Sequence, residues 1–171
     1  MRSLLLLLLI STVMTSLPTD GQGQPASRAL PPVEAATMQT LSFRLRPGQD
    51  LKEALDALVT QYRIGAGAVL TCVGSLTDVS LRLANQDMAT HWHGHFEIVS
   101  LTGTLATAGS HLHLSVSDST GRTLGGHLMA GCRIYTTAEL LIGVLPELDY
   151  MREPDPTYGY RELVIKRRKK K

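Results

Sequence analysis

Residues 111–127 read HLHLSVSDSTGRTLGGH, and the turn at their centre constrains the fold more tightly than any other stretch of the chain. Ser119, Thr120 and Gly121 suit a three-residue hairpin loop, a type I turn whose third residue needs a positive φ that glycine adopts without steric cost. Asp118 then pairs with Arg122, and counting outward sets His113 directly opposite His127. Side chains alternate along a strand, so His111 and His113 share one face. Opposed Cβ atoms lie about 5 Å apart. The register therefore predicts three imidazoles on one patch. A loop one residue shorter or longer would turn His127 to the opposite face.

Three neutral imidazoles with an open fourth position are what a Zn²⁺ site of catalytic type requires. Imidazole also suits Cu, Ni and Fe, so the expectation is a divalent metal, zinc first. His111, His113 and His127 are the candidate ligands, and Gly125 and Gly126 leave room beside the last of them. The plainer reading of HxH is two solvated or hydrogen-bonded side chains; the register-matched third histidine is what favours the metal. A metal so held is able to bring the pKa of bound water to about 7 and support hydrolysis or lyase chemistry. No nucleophile triad, phosphate loop or cofactor fingerprint accompanies it, so no substrate follows.

A second set, His91, His93 and His95 in HWHGH, also has period two. It follows the loop-like ANQDMAT and is interrupted by Gly94, so it is expected to form a solvated entry to a strand, with Trp92 packing at an interface. Glu97 in HFEIV is a polar residue in an apolar run. It is a candidate general base or partner of a metal ligand, with plain exposure to water as the competing reading.

Elsewhere the pattern is mostly strand. TLSFRLR (40–46), AVLTCVG (68–74), DVSLRLA (78–84) and FEIVSLTGTL (96–105) are strand-like, the second apolar enough to be covered on both faces. CRIYTTAELLIGVL (132–145) begins as a strand and has room for a short helix; YRELVIK (160–166) reads as a final strand or extended tail. Leu51, Ala54, Leu55, Leu58, Val59 and Tyr62 recur at helical spacing, predicting a helix over 51–63. Asp50 caps it, Glu53 completes a capping box, and Gly65 and Gly67 end it. The fold class is α+β, a mostly antiparallel twisted sheet with one amphipathic helix.

The ends differ in composition from the body. MRSLLLLLLISTVM reads as a signal-peptide-like leader over 1–23, cleaved after Gly23, with an uncleaved anchor as the alternative. Its apolar run is too short for a stable membrane span. Export follows from the leader; translation from Met38 would instead give a cytoplasmic or nuclear protein. Residues 24–37 form a linker, 38–165 the domain, and 166–171 a polybasic tail, KRRKKK. Between Met38 and Ile165 nine basic residues face thirteen acidic ones, a net −4, so the body itself will not attract phosphate backbones. Aromatic residues make up 5% of the chain, too few for a base-stacking surface. Nucleic acid binding is left to Lys166, Arg167, Arg168, Lys169, Lys170 and Lys171, against the plainer reading of a solvated, disordered end. Cys72 and Cys132 sit in apolar contexts and are expected to be buried free thiols, a poor fit to export.

The series FRLRPGQDLKEAL, GAGAVLTCVGSLTDVSLRLA, HFEIVSLTGTLA and SHLHLSVSDSTGRTLGGHLMAGCRIYTTAELLIG resembles, in order, the PPC (plant and prokaryote conserved) domain, over about Met38 to Leu145. The resemblance implies a compact module that assembles as a homotrimer. In many bacterial and archaeal members it also implies a metal held by HxH and the later GGH histidine, here His111, His113 and His127. Plant relatives pair the domain with an AT-hook and regulate transcription; this chain has no RGRP-type hook. Two functions remain in view: a metal-binding homotrimer, and a DNA-associated protein using its basic tail.

Overall fold

Alternating sequence becomes strand along most of the chain in the computed structural model, which describes residues 33–157 and 159–169. The elements run β1 (Gln39–Leu45), α1 (Leu51–Gln61), β2 (Gly67–Arg82), β3 (Ala89–Leu105), β4 (His111–Asp118), β5 (Thr123–Leu128), β6 (Ile134–Val144), β7 (Leu148–Pro154) and β8 (Arg161–Arg167). The first six strands form one sheet in the order β1-β6-β2-β3-β4-β5, and every pairing in it is antiparallel. The end of β2 also pairs with β5, Leu81 opposite Leu128 and Arg82 opposite His127, so β2 to β5 close on themselves. β7 and β8 form a separate hairpin. The leader, its cleavage position and linker residues 24–32 lie outside the described residues.

The helix starts where expected. Asp50 accepts hydrogen bonds from the Lys52 and Glu53 amides at 2.9 and 3.0 Å. Its second carboxylate oxygen accepts from the Gly131 amide at 2.6 Å, tying the cap to the segment before β6. Leu51, Leu55 and Val59 are buried, each worth about 1.5–3 kcal/mol relative to exposure. The helix ends at Gln61, earlier than the glycines suggested, because Arg63 takes the left-handed conformation (φ 50). The Arg63 amide bonds the Thr60 carbonyl and the Ile64 amide the Val59 carbonyl, the closing pattern of a Schellman motif. Tyr62, expected in the buried stripe, is exposed.

Four further expectations are corrected. Residues 68–74 and 78–82 belong to one long strand, and that strand is not covered on both faces: Leu70 and Val73 are 44% and 62% exposed. Helix α1 offers only one apolar stripe, so the other face of the sheet keeps its side chains outward. The segment after Cys132 contains no helix, since the alternation of β6 places Ile134, Ala138, Leu140 and Ile142 in the core. HWHGH is strand rather than loop, pairing with residues 78–80 of β2. Finally, Leu148–Pro154, not anticipated as a strand, pairs with β8. Cys72 and Cys132 are buried and unpaired.

Candidate metal centre

The turn between β4 and β5 has the expected geometry. The Asp118 amide bonds the Arg122 carbonyl at 3.0 Å and the Gly121 amide bonds the Asp118 carbonyl at 2.9 Å, with Gly121 at φ +84. The Asp118 carboxylate accepts from the Thr120 amide, the Thr120 hydroxyl and the Arg122 amide, which locks the loop. Those bonds hold its carboxyl below the usual aspartate range, the Thr120 hydroxyl contributing most. His113 consequently stands opposite His127.

The three rings meet. His111 and His113 bring their Nε2 atoms to 3.1 Å. Ring centroids lie 5.0 Å apart for His111–His113, 5.1 Å for His111–His127 and 5.7 Å for His113–His127. One nitrogen from each ring falls within 4.8 Å of the others. Three nitrogens bound tetrahedrally to zinc at 2.0–2.1 Å sit about 3.3 Å from one another, so the trio needs only modest closure. His127 Nδ1 is buried and has no hydrogen-bond partner, an unmet need that an ion or a second-sphere acceptor would satisfy. Two of the rings, His127 and His111, are biased toward the neutral form that a ligand needs. Burial depresses the His127 pKa to about 4, reinforced by His111, Arg82, His113 and Lys52. Burial, then His113, lowers that of His111.

A glycine brings the site together from behind. Gly103 of β3 has φ +139, and a β-carbon there would collide with the His111 carbonyl oxygen and stand 2.9 Å from Leu112 Cα. Only glycine lets β3 press this closely on β4. Gly126 plays the matching part for β5, since a β-carbon there would lie 2.8 Å from the Arg82 carbonyl oxygen.

Two clefts flank the rings. One, of about 480 Å³, is lined by Arg82, His111, His127, Arg152, Arg161 and Glu162 among others. The other, of about 360 Å³, is lined by Thr102, Thr104, His111, His113, Arg152 and Leu163 among others. Arg152 Nη2 donates to Thr104 Oγ1 at 2.9 Å, fastening the β7–β8 hairpin over the site. None of Arg82, Gly103, Arg152, Arg161 or Glu162 was anticipated from sequence. An isolated glycine inside the alternating SLTGTL was a usable signal for Gly103; the arginines arrive through pairings that no local pattern announces.

The other candidates fall elsewhere. Glu97 is exposed and lies opposite Ser117, four residues along β4 from His113, or about 13 Å. It is not brought to the trio. His93 Nδ1 bonds Asp78 at 2.9 Å, His95 leans on the Tyr135 ring at 4.4 Å, and His91 sits opposite Ser80. In the basic tail, Lys166 and Arg167 continue β8. Lys166 pairs with Glu153 at 2.6 Å, Arg167 with Glu34 at 2.8 Å and Glu147 at 3.5 Å, and Arg168 with Asp149 at 2.6 Å. Lys170 and Lys171 lie outside the described residues. Among the described residues no helix is long and apolar enough to cross a membrane.

This architecture is shared with proteins of known structure. A Salmonella cholerae-suis protein of known structure is 48% identical, with 79% of this chain and 98% of that one covered and a TM-score of 0.78. A metal-containing protein from Archaeoglobus fulgidus has the same fold at 18% identity, a TM-score of 0.66, and coverage of 77% and 99%. The bifunctional protein GlmU of Synechococcus sp. (strain JA-2-3B'a(2-13)) is 46% identical over 134 residues, 78% of this chain and 21% of that protein. The chain thus spans about a fifth of the length of the curated relatives it matches. The Plants and Prokaryotes Conserved (PCC) domain matches residues 33–146. The chain belongs to the Plants and Prokaryotes Conserved domain family.

Proposed function

We propose that this chain is a metal-binding module in which His111, His113 and His127 hold one divalent ion, zinc by preference. The observation that carries the reading is the convergence of three imidazole nitrogens within 4.8 Å on adjacent strands of a rigid sheet. The donor set fits zinc: all imidazole nitrogen, and open on the side of the clefts. When bound, such an ion supplies a Lewis acid and lowers the pKa of a water at the open position. The chain's own residues fix the ligands, through Gly103 behind His111 and the Asp118 turn below His127. Metal analysis by mass spectrometry of the full chain tests this. One ion per chain is expected, falling to none when all three histidines become alanine; equal metal in both proteins would end the reading.

The module is further proposed to work as a homotrimer. Support comes from the outer face of the sheet, where Leu70, Val73 and, on β3, Val99 (57%) are exposed. Apolar side chains this prominent on a strand face mark a surface to be covered. Light scattering should return three times the 18.6 kDa chain mass, and a monomeric mass would dismiss it.

A further inference from the structure

The larger cleft beside the trio carries more positive charge than metal binding calls for. Arg82 from β2, Arg152 from β7 and Arg161 from β8 line it together with His111 and His127, and Glu162 is the one carboxylate on its wall. Among the described residues none of these three arginines forms an ion pair, although Arg167 and Arg168 nearby each find a carboxylate. Like charges gathered in one concavity repel, so the arrangement is costly until an anion enters.

Each guanidinium is held differently. Arg82 lies opposite His127 in the β2–β5 pairing, and its side chain makes no hydrogen bond or ion pair with the described residues. Its whole donor fork is free. Arg152 commits Nη2 to Thr104, which steadies the group beside His111 and leaves its other N–H groups available. Arg161 donates from Nε (3.1 Å) and Nη2 (2.6 Å) to the Arg152 carbonyl, so it acts as a fixed wall with Nη1 uncommitted.

We propose that this cleft binds a small phosphate monoester, its dianionic phosphoryl group taken by Arg82 and Arg152 and its remaining atoms lying toward the histidine trio. The proposal rests on the reading of the trio as a metal site, which the ligand's far end approaches. Three guanidinium groups against one carboxylate leave an excess of two positive charges, matching a phosphate of charge about −1.5 to −2 rather than a monocarboxylate. The planar fork of arginine suits tetrahedral phosphate oxygens bidentately. A volume of about 480 Å³ exceeds what a phosphoryl group needs and falls in the range of small-molecule sites, about 300–1,000 Å³.

Inorganic phosphate is the probe, titrated calorimetrically into the full chain both metal-loaded and chelator-stripped, with metal content measured on the same samples. Arg82→Gln and Arg152→Gln should each weaken phosphate binding by about tenfold or more. Arg82→Lys, which keeps the charge but loses the fork, should fall between, and Arg167→Gln should match the parent. Metal content should stay unchanged in all four. Undiminished phosphate affinity in Arg82→Gln/Arg152→Gln overturns the proposal, as does malonate competing as strongly as phosphate. A parent that holds one metal per chain and ignores phosphate sinks this inference and leaves the metal reading standing. Arginine-dependent phosphate binding in a chain that takes up no metal even when zinc is supplied does the reverse: it supports the anion site and removes the metal reading.

Discussion

Two histidine trios, each containing an HxH pair, meet different fates in this molecule. His91, His93 and His95 lie on β3 and do not converge: His91 stands opposite Ser80 in the register, His93 bonds the Asp78 carboxylate and His95 leans on the Tyr135 ring. His111, His113 and His127 turn to one another. Period two on one strand places side chains on a common face about 6.6 Å apart along the backbone. Convergence needs a third residue delivered from the neighbouring strand at the same level, which the Asp118–Arg122 turn supplies. A run of histidines is thus weaker evidence for a site than a pair of histidines and a turn of known length.

The sharpest way to break that contrast is to push β3 off β4. Gly103→Ala should cost about 3 kcal/mol in denaturant unfolding and abolish metal binding, because its β-carbon has no space against His111. The glycine of the other trio, Gly94, meets only the Phe96 ring, at 3.5 Å, and Gly94→Ala should cost distinctly less and leave metal in place. Next in size, removing any one of His111, His113 or His127 should weaken zinc affinity about 100-fold or more, exceeding the effect of losing an outer partner. Replacing His91, His93 and His95 together should not change it. Competition titration with a chelating dye reads both.

Acid provides a smaller test. A histidine whose folded pKa is depressed binds fewer protons folded than unfolded, so its contribution is intact above the unfolded value and drains away as pH falls toward the folded one. For His127 the window runs from about 6.5 down to about 4. Metal-free protein should lose stability across that window, about 1 kcal/mol once solvent screening is allowed for, and His127→Gln should flatten the loss. Smallest of all is the His93–Asp78 pair. The His93 hydrogen bond, then Thr77, holds the Asp78 carboxyl below the usual aspartate range. Its contribution is therefore present above about pH 3.9 and lost below it. With His93 84% exposed, Asp78→Asn should change stability by less than about 1 kcal/mol at neutral pH, as followed by thermal unfolding.

What could be read from the chain, and what could not, divides by range. The β4–β5 hairpin, the Asp50 cap and the Leu51/Leu55/Val59 stripe are local: each depends on residues within a turn or two of one another, and each was legible. The end of α1 was misplaced because Arg63 accepts a conformation that the following glycines seemed better suited to supply. HWHGH looked like a loop because alternation with Gly94 is a weak signal until β2 pairs beside it. Arg82 reaches His127 only because β2 is long enough to bend back onto β5. Arg152 and Arg161 come over the site only because Tyr150 hangs its amide on the Gly65 carbonyl, 85 residues earlier, and Arg152 reaches Thr104. The histidine trio was visible in the sequence and the walls around it were not. That difference is physical: a trio on one hairpin needs a register, while walls need tertiary docking.

Crystals of the full chain grown with zinc, measured at the zinc absorption edge, give the most direct view of whether one ion joins the three rings. The account predicts an anomalous peak about 2.0–2.1 Å from a nitrogen of each of His111, His113 and His127. A peak among His91, His93 and His95 instead, or none between the β4 and β5 rings at full zinc occupancy of the solution, would contradict it.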